Sequence, residues 1–315
     1  MDETTQQLIE MLEDSPVLVA LYDQFDRLRK ANRAFRQAYS IHPNEDPTWS
    51  EIMRRNFSAQ TGTVVRTTNF EEWLISTQSR RGKVGYRAFE TDLHDGRWLW
   101  MNEMVSDDGW MLCIASVTTD LHSDKRALRQ DRDSAVKASY TDELTGVANR
   151  RFVMARIDDM LLQRRRDSRL AGCLAVLDID HFKAINDRFG HAAGDEILCR
   201  FAKEIHANVR RSDCFGRVGG EEFVLVMPRT SAAEAALVLE RMLILVRAMK
   251  PLGGHGDYRC TFSAGIAETD PADVSLSLYS RADKALYAAK SRGRNCIVVA
   301  EGDGDRSASS QLIAP

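Results

Sequence analysis

The chain has 315 residues, a length that favours two domains over one compact core. Its apolar fraction of 43% and charged fraction of 28% are typical of a globular protein, and a formal net charge of −3 gives no general attraction to nucleic acid or to an acidic membrane surface. The chain contains no run of about 18 apolar residues, the length that a membrane-spanning helix needs. Its N-terminus is acidic, whereas that of a signal peptide is basic. We therefore expect a cytoplasmic protein with no nucleic-acid partner and no membrane span.

The first third of the chain predicts a small mixed domain. A helical pattern opens the chain and ends at Pro16, and two short extended pieces follow, one at 17–22 and one starting at Leu28. Asp95-Gly96 and Asp108-Gly109 are turn signals, and they separate three predicted strands at 86–93, 97–105 and 110–117. Two strands, a helical middle and three meandering strands make an α+β arrangement.

This order of elements resembles that of a PAS sensor domain, so residues 1–119 are assigned to a PAS-like sensor. All five tryptophans of the chain lie in this part. They could line a pocket for a small ligand or simply pack the core. No cofactor is therefore assigned to the sensor, and its signal stays open.

A strongly charged stretch, 120–140, connects the two predicted domains. It contains good helix formers and neither proline nor glycine, which predicts a linker helix. Leu121, Leu128 and Ala135 are seven residues apart. The stretch is either a solvated single helix or a short parallel coiled coil that joins two protomers.

The second predicted domain covers residues 141–301 and is followed by a tail, 302–315, that reads as disordered. Strand patterns alternate with amphipathic helices in the order β-α-β-β-α-β, which is the ferredoxin-like unit, with one helix and one strand added. The predicted elements are a strand at 171–179, a helix at 192–209, a hairpin at 217–227, a helix at 232–249, a strand at 258–267, a helix at 276–292 and a strand at 297–300.

Acidic residues stand at two places that this fold brings together. Asp178 and Asp180 end the first strand, and Glu221 and Glu222 lie on the hairpin. In a ferredoxin-like sheet these strands are neighbours, so Asp178 is predicted to face one of the two glutamates. Clustered carboxylates repel one another unless a cation lies between them, and few hard oxygen ligands suit Mg²⁺. Asp178 or Glu222 taken alone could be an ordinary acidic residue at the end of a strand.

The glycine pair Gly219-Gly220 occupies the predicted hairpin tip. Glycine permits positive φ angles and has no Cβ that would block an approaching base or ribose. Taken alone, the pair predicts only a turn.

Four sequence blocks carry a family resemblance. Residues 219–223 read GGEEF, residues 142–151 read DELTGVANRR, residues 178–191 with Gly194-Asp195 form the third block, and residues 287–295 form the fourth. Together they resemble the diguanylate cyclase (GGDEF) family. The resemblance implies a nucleotidyl-cyclase fold, like that of the polymerase palm, and condensation of two GTP molecules into cyclic di-GMP by a homodimer.

The resemblance also implies the roles of individual residues. Asp178, the carbonyl of Ile179 and Glu221 would bind Mg²⁺, with Mn²⁺ as the alternative ion, and Glu221 and Glu222 would be the catalytic acids. Asn186 and Asp195 would hold the guanine edge through complementary donors and acceptors. The remaining substrate positions are Gly219 and Gly220 at the hairpin, His191, which is either a substrate or a structural residue, and Lys183, Lys290 and Arg294 as partners of the triphosphate.

An inhibitory site is the last implication of the resemblance. Arg210 and Asp213 match an RxxD product site at the expected distance before the motif, and Arg241 on the following helix is a secondary arginine. Cyclic di-GMP would then be an inhibitor as well as the product.

Two other functions remain open from the residues. The domain could be catalytically weak and act by binding GTP or cyclic di-GMP, although both motif acids, Glu221 and Glu222, are present. A cyclase could also make mixed cyclic dinucleotides, but the relatives that do so carry serine at the position of Asp195, so Asp195 favours GTP.

Overall fold

The computed structural model describes residues 2–118, 140–167, 169–252 and 258–301. Contacts divide the chain into two units: Met1–Ala148 with Asn208–Cys214, and Asn149–Ala207 with Phe215–Pro315. The predicted linker helix at 120–140, apart from Tyr140, and the predicted tail at 302–315 lie outside the described residues. The domain limits predicted from the sequence therefore stay predictions.

The first unit is built on a five-stranded antiparallel sheet in the order β2-β1-β5-β4-β3. Alternate residues of β1 and β5 are buried, as expected for a sheet with one face on the core. The predicted strands are all present, with small shifts at their ends. The elements in chain order are α1 (Glu3–Glu13), β1 (Leu18–Tyr22), β2 (Leu28–Ala31), α2 (Arg33–Ala38), α3 (Trp49–Ala59), α4 (Phe70–Arg80), β3 (Tyr86–Asp92), β4 (Trp98–Val105) and β5 (Met111–Val117).

Polar side chains set the starts of the helices in this unit. The Asn32 Oδ1 atom accepts the amide of Phe35 at 3.1 Å, which caps α2, and also the amide of Val19 at 3.0 Å, which ties the cap to β1. Thr48 and Glu51 form a capping box at the start of α3. Local sequence thus determines where these helices begin.

The second unit contains the ferredoxin-like core. The six-stranded sheet has the order β11-β10-β7-β9-β8-β6, so β10, β7, β9 and β8 form the predicted four-stranded unit. The fully buried β7 pairs antiparallel with β9 and β10. The elements that build this sheet and its helices are, in chain order, β6 (Ala148–Asn149), α5 (Arg150–Arg166), β7 (Gly172–Ile179), α6 (Phe182–Phe189), α7 (His191–His206), β8 (Cys214–Arg217), β9 (Glu222–Pro228), α8 (Ala232–Ala248), β10 (Phe262–Glu268), α9 (Ser275–Ser291) and β11 (Ile297–Val299).

Two element boundaries differ clearly from the sequence predictions, and some elements were not predicted. The strand expected from residue 258 begins only at Phe262, because its partner β7 ends at Ile179 and the chain then turns into α6. The helix expected at 192–209 runs from His191 to His206, so it ends three residues earlier than predicted. The helices α5 and α6 and the short strand β6 were not predicted.

None of the helices in the described parts of the chain is both long and apolar enough to cross a lipid bilayer.

Candidate functional site

Acidic side chains meet where β7 ends beside the hairpin. Asp178 and Glu222 are paired residues of the antiparallel β7–β9 ladder, so their side chains leave the same face of the sheet. The Ile179 amide donates to the Glu221 carbonyl at 3.4 Å, which brings the other motif acid to the same edge. The predicted juxtaposition of Asp178 with the hairpin acids is therefore confirmed.

Asp178 has a basic partner in this cluster. The residue is 6% exposed, and the Lys290 ammonium lies 2.7 Å from its Oδ2 atom. Burial raises the pKa of the Asp178 carboxyl above its ordinary value, and the Lys290 ammonium opposes that rise. The two motif glutamates add to the rise, so their charges act on Asp178 at short range. The cluster has more negative charge than one lysine balances.

The donor set fits a hard divalent cation. Within the described residues, no three His, Cys, Asp or Glu side chains converge closely enough to hold a metal ion. The predicted set needs only two side chains, Asp178 and Glu221, together with the Ile179 carbonyl. Mg²⁺ commonly takes one or two protein carboxylates and completes its coordination with water and substrate phosphates.

The hairpin tip is open and is held by an arginine. Gly219 and Gly220 are exposed, and a Cβ added at Gly220 would meet no atom within 4 Å. The Arg217 guanidinium donates to the Gly220 carbonyl at 2.7 and 2.9 Å, a contact that the sequence reasoning missed. Neither glycine has a positive φ angle, so that part of the rationale for the pair was wrong. Open space for a ligand is the rationale that remains.

Asn186 presents an unpaired acceptor near the start of α7. Its Oδ1 atom is buried and has no hydrogen-bond partner among the described residues. A Cβ at Gly194 would collide with this atom, so the glycine permits the close approach of α6 and α7. Buried polar atoms are nearly always hydrogen-bonded, so an unpaired one points to a missing ligand. The other predicted substrate residues on these two helices, Lys183, His191 and Asp195, are all exposed.

Lys290 and Arg294, two of the predicted phosphate partners, are four residues apart, which would place both on one face if the helix continued. Lys290 lies in the last turn of α9, but the helix ends at Ser291, with Gly293 at φ 107° beyond it. Arg294 therefore lies outside the helix, with φ 67°, and does not share a helical face with Lys290. The reason is the glycine, which allows the left-handed turn that ends a helix.

Asp180 takes a structural position. Its carboxylate accepts hydrogen bonds from the Thr261 hydroxyl at 2.6 Å, the Ser263 hydroxyl at 2.6 Å and the Asn295 amide at 3.0 Å. The residue is 4% exposed. Asp180 thus joins the end of β7 to β10 and to the segment that follows Arg294.

The predicted inhibitory residues are divided between the units. Arg210 and Asp213 lie in the segment that belongs to the first unit, and the Asp213 Oδ2 atom accepts the Arg210 amide at 3.1 Å. Asp213 is buried and Arg210 is exposed. Arg241 is an exposed residue of α8 in the second unit, and its membership of the site stays a prediction.

Several known proteins are similar to this chain. A family model described as "Diguanylate cyclase, GGDEF domain" matches residues 139–296. The diguanylate cyclase DgcP of Pseudomonas aeruginosa is 33% identical over 253 residues, which cover 80% of this chain and 37% of the relative. The response regulator PleD of Caulobacter vibrioides is 38% identical over 174 residues, covering 54% of this chain and 38% of the relative. The chain therefore spans well under half the length of these curated relatives.

Two solved structures share the fold. The coiled coil and GGDEF domain of DgcB from Caulobacter crescentus, in complex with c-di-GMP, is 34% identical with a TM-score of 0.52, and the match covers 55% of this chain and 92% of that one. The diguanylate cyclase SiaD from Pseudomonas aeruginosa, in complex with its activator SiaC, is 35% identical with a TM-score of 0.50, covering 56% of this chain and 68% of that one.

Proposed function

Because the chain belongs to the diguanylate cyclase family, which is defined by its GGDEF domain, we propose that it condenses two GTP molecules into cyclic di-GMP and releases two pyrophosphates. The observation that carries the proposal is the pairing of Asp178 with Glu222 at the mouth of an open Gly-Gly hairpin. This edge combines excess negative charge with room for a nucleotide.

Mg²⁺ is the proposed metal, with Mn²⁺ as the alternative, and Asp178, the Ile179 carbonyl and Glu221 are its proposed ligands. When bound, the ion would balance the charge that grows on the reacting phosphate. Burial, together with the charges of the two motif glutamates, raises the pKa of Asp178, and a cation at this edge would stabilise its ionised form; this supports the assignment.

The remaining chemistry is assigned to the side chains of the chain. The 3′-oxygen of each GTP forms a bond to the α-phosphorus of the other, and the bond from each of those phosphorus atoms to pyrophosphate breaks. In each of the two exchanges, one hydroxyl proton passes to a motif carboxylate, Glu221 or Glu222. Lys290, which now pairs with Asp178, would exchange that partner for a substrate phosphate, and Lys183 and Arg294 would add positive charge beside it.

Guanine recognition is proposed for Asn186 and Asp195. The unpaired Asn186 Oδ1 atom is an acceptor for a guanine N–H, and the exposed Asp195 carboxylate can accept the others. His191 and the Gly219-Gly220 tip are proposed to border the same nucleotide.

A homodimer is part of the proposal. One set of these residues holds one GTP, so two protomers must present their nucleotides to each other. Holding two reactants together makes their reaction effectively unimolecular, which accounts for a large share of the acceleration.

Regulation is proposed at two levels. The first unit has the five-stranded sheet and intervening helices expected of a PAS-like sensor, and we assign it that role. Arg210 and Asp213, with Arg241, are proposed to bind cyclic di-GMP and inhibit the enzyme. Arg210→Ala should then weaken product inhibition, and an unchanged inhibition constant would contradict the site.

Purified protein incubated with GTP and Mg²⁺, followed by chromatography of the products, tests the activity. We expect cyclic di-GMP and pyrophosphate, lost in Glu221→Gln and retained in Asp187→Asn, a matched change at an exposed acid on α6. Binding of GTP without turnover by folded dimer would identify a binding module instead. A mixed product formed from ATP and GTP would identify the broader cyclase.

A further inference from the structure

Seven residues, Asn208–Cys214, include Arg210 and Asp213 of the proposed product site, and their contacts group them with the first unit. The Arg211 amide donates to the Gln24 carbonyl at 2.9 Å. The Lys83 ammonium donates to the carbonyls of both Arg211 and Asp213. The backbone of this segment is therefore held directly by the first unit.

The side chain of Arg211 is inserted into the first unit. It is 2% exposed, pairs with Asp26, and donates from Nη1 to the Gly109 carbonyl at 3.2 Å. Gly82, at φ 68°, lies against its aliphatic stem, and a Cβ there would collide with it. The first unit thus has a site shaped for this arginine.

A row of alternating charges extends from Arg211 into the core of the first unit. Asp26 also accepts the Nε–H of Arg81, at 3.2 Å to each carboxylate oxygen. Arg81 pairs in turn with Glu103, and Glu103 pairs with Arg87. Arg81 and Glu103 are each 3% exposed. Because buried charges are costly without partners, a change at one member is felt by its neighbours.

Within this segment, Asp213, one of the residues proposed to bind the product, is buried and hydrogen-bonded. Asp213 is 5% exposed, with Oδ2 accepting the Arg210 amide and Oδ1 accepting the Ser212 hydroxyl at 3.2 Å. A covered carboxylate whose oxygens are both engaged is poorly available to the N–H groups of guanine. The Arg210 side chain, by contrast, is exposed.

We propose that the first unit and cyclic di-GMP compete for the segment Asn208–Cys214, and that the Arg211–Asp26 pair sets the balance. While Arg211 is inserted, the product binds weakly; when Arg211 leaves, Asp213 becomes available. A signal that disturbs Arg81 or Glu103 would then change the product concentration at which synthesis stops. The inference rests on the proposed product site at Arg210 and Asp213.

Calorimetric titration of nucleotide-free full-length protein with cyclic di-GMP tests the competition. Arg211→Ala is the informative variant, because Asp26 keeps Arg81 as a partner and no buried charge is left alone. We expect cyclic di-GMP to bind about 10-fold more tightly, within the roughly 5–150-fold range of typical coupling between sites. Arg54→Ala, which breaks the Arg54–Glu71 pair elsewhere in the first unit, is the matched control and should bind as the native protein does.

A second measurement needs no variant. Coupling is reciprocal, so cyclic di-GMP should speed hydrogen exchange at the Arg211 amide, which the Gln24 carbonyl now protects. If Arg211→Ala fails to fold, Gly82→Ala displaces the same side chain and should also tighten binding.

Three results would overturn the proposal. Unchanged or weaker binding by Arg211→Ala, while Arg210→Ala abolishes binding, would reject the competition and leave the product site intact. Slower exchange at the Arg211 amide with product would reject it in the same way. Native affinity in Arg210→Ala would show that the product-site assignment itself is wrong.

Discussion

Replacing Asp180 with alanine should destabilise the second unit strongly. The carboxylate is 4% exposed and accepts three hydrogen bonds, from Thr261, Ser263 and the amide of Asn295. Bonds to a charged group contribute about 1.5–3 kcal/mol each, and the two hydroxyls can rotate towards other acceptors. We therefore expect a loss of about 3–5 kcal/mol, which corresponds to a fall in Tm of roughly 6–20 °C for a unit of this size.

The same change should impair synthesis in the protein that remains folded. Asp180 follows Asp178 by two residues and fixes the chain directly after Arg294. Its loss should raise the KM for GTP, because positioning of the phosphate partners is affected more than the motif acids.

Thermal unfolding followed by circular dichroism measures the stability, and a GTP titration of the initial rate below the Tm gives the KM. Asp187→Ala, at an exposed acid on α6, is the control and should change stability by about 0.5 kcal/mol or less. A fall in Tm below about 2 °C for Asp180→Ala would refute the reasoning, because three donors, among them the fully buried Ser263 hydroxyl, would then have lost their acceptor at no cost.

Other changes test the remaining parts of the site and of the sensor. Asp178→Asn should keep or raise the Tm while synthesis falls at least about 100-fold, because a raised pKa means that the ionised carboxylate costs folding free energy at neutral pH; a lower Tm would contradict this. Asn186→Ala should raise the KM for GTP about 10-fold through loss of an acceptor worth roughly 1–3 kcal/mol, and an unchanged KM would remove the residue from the guanine site. Burial opposes ionisation of Glu103, yet the two flanking guanidinium groups hold its pKa below its ordinary value of 4.5. The stabilisation from ionised Glu103 is therefore present above about pH 4.5 and is lost as the pH falls through the lowered pKa. Acid unfolding of Glu103→Gln should consequently depend less on pH than that of the native protein. Fluorescence from the five tryptophans, all in the first unit, measures this unfolding.

Local sequence signals predicted much of the fold. The turns Asp95-Gly96 and Asp108-Gly109 separated β3, β4 and β5 correctly, with Gly96 and Gly109 at positive φ angles that L side chains rarely adopt. The mixed α+β class and the ferredoxin-like order of strands in the second unit are also confirmed. The missed α5 had a usable signal too, with buried apolar residues at Phe152, Val153, Ile157, Met160 and Leu161.

The site was predictable where it depends on the order of the strands and less so where it depends on register or on contacts between distant residues. That Asp178 faces a motif glutamate follows from the order of the strands, whereas the register of the β7–β9 ladder decides that this glutamate is Glu222. The support that Arg217 gives to the hairpin tip depends on a side-chain direction that no periodicity encodes. The pair of Arg211 and Asp26 joins residues 185 positions apart, and neither has a neighbour that marks it in the sequence.

The contacts of the segment Asn208–Cys214 affect how truncated versions of this protein should be interpreted. A fragment that stops at residue 148 is not the first unit, because it lacks seven of that unit's residues and leaves Asp26 and Lys83 without Arg211 and its backbone carbonyls. A fragment that starts at residue 141 has the opposite defect, since it exposes an arginine that is normally enclosed. Activity measured on the second fragment would combine the loss of the sensor with damage at the cut surface, whereas point changes in the intact chain separate the two.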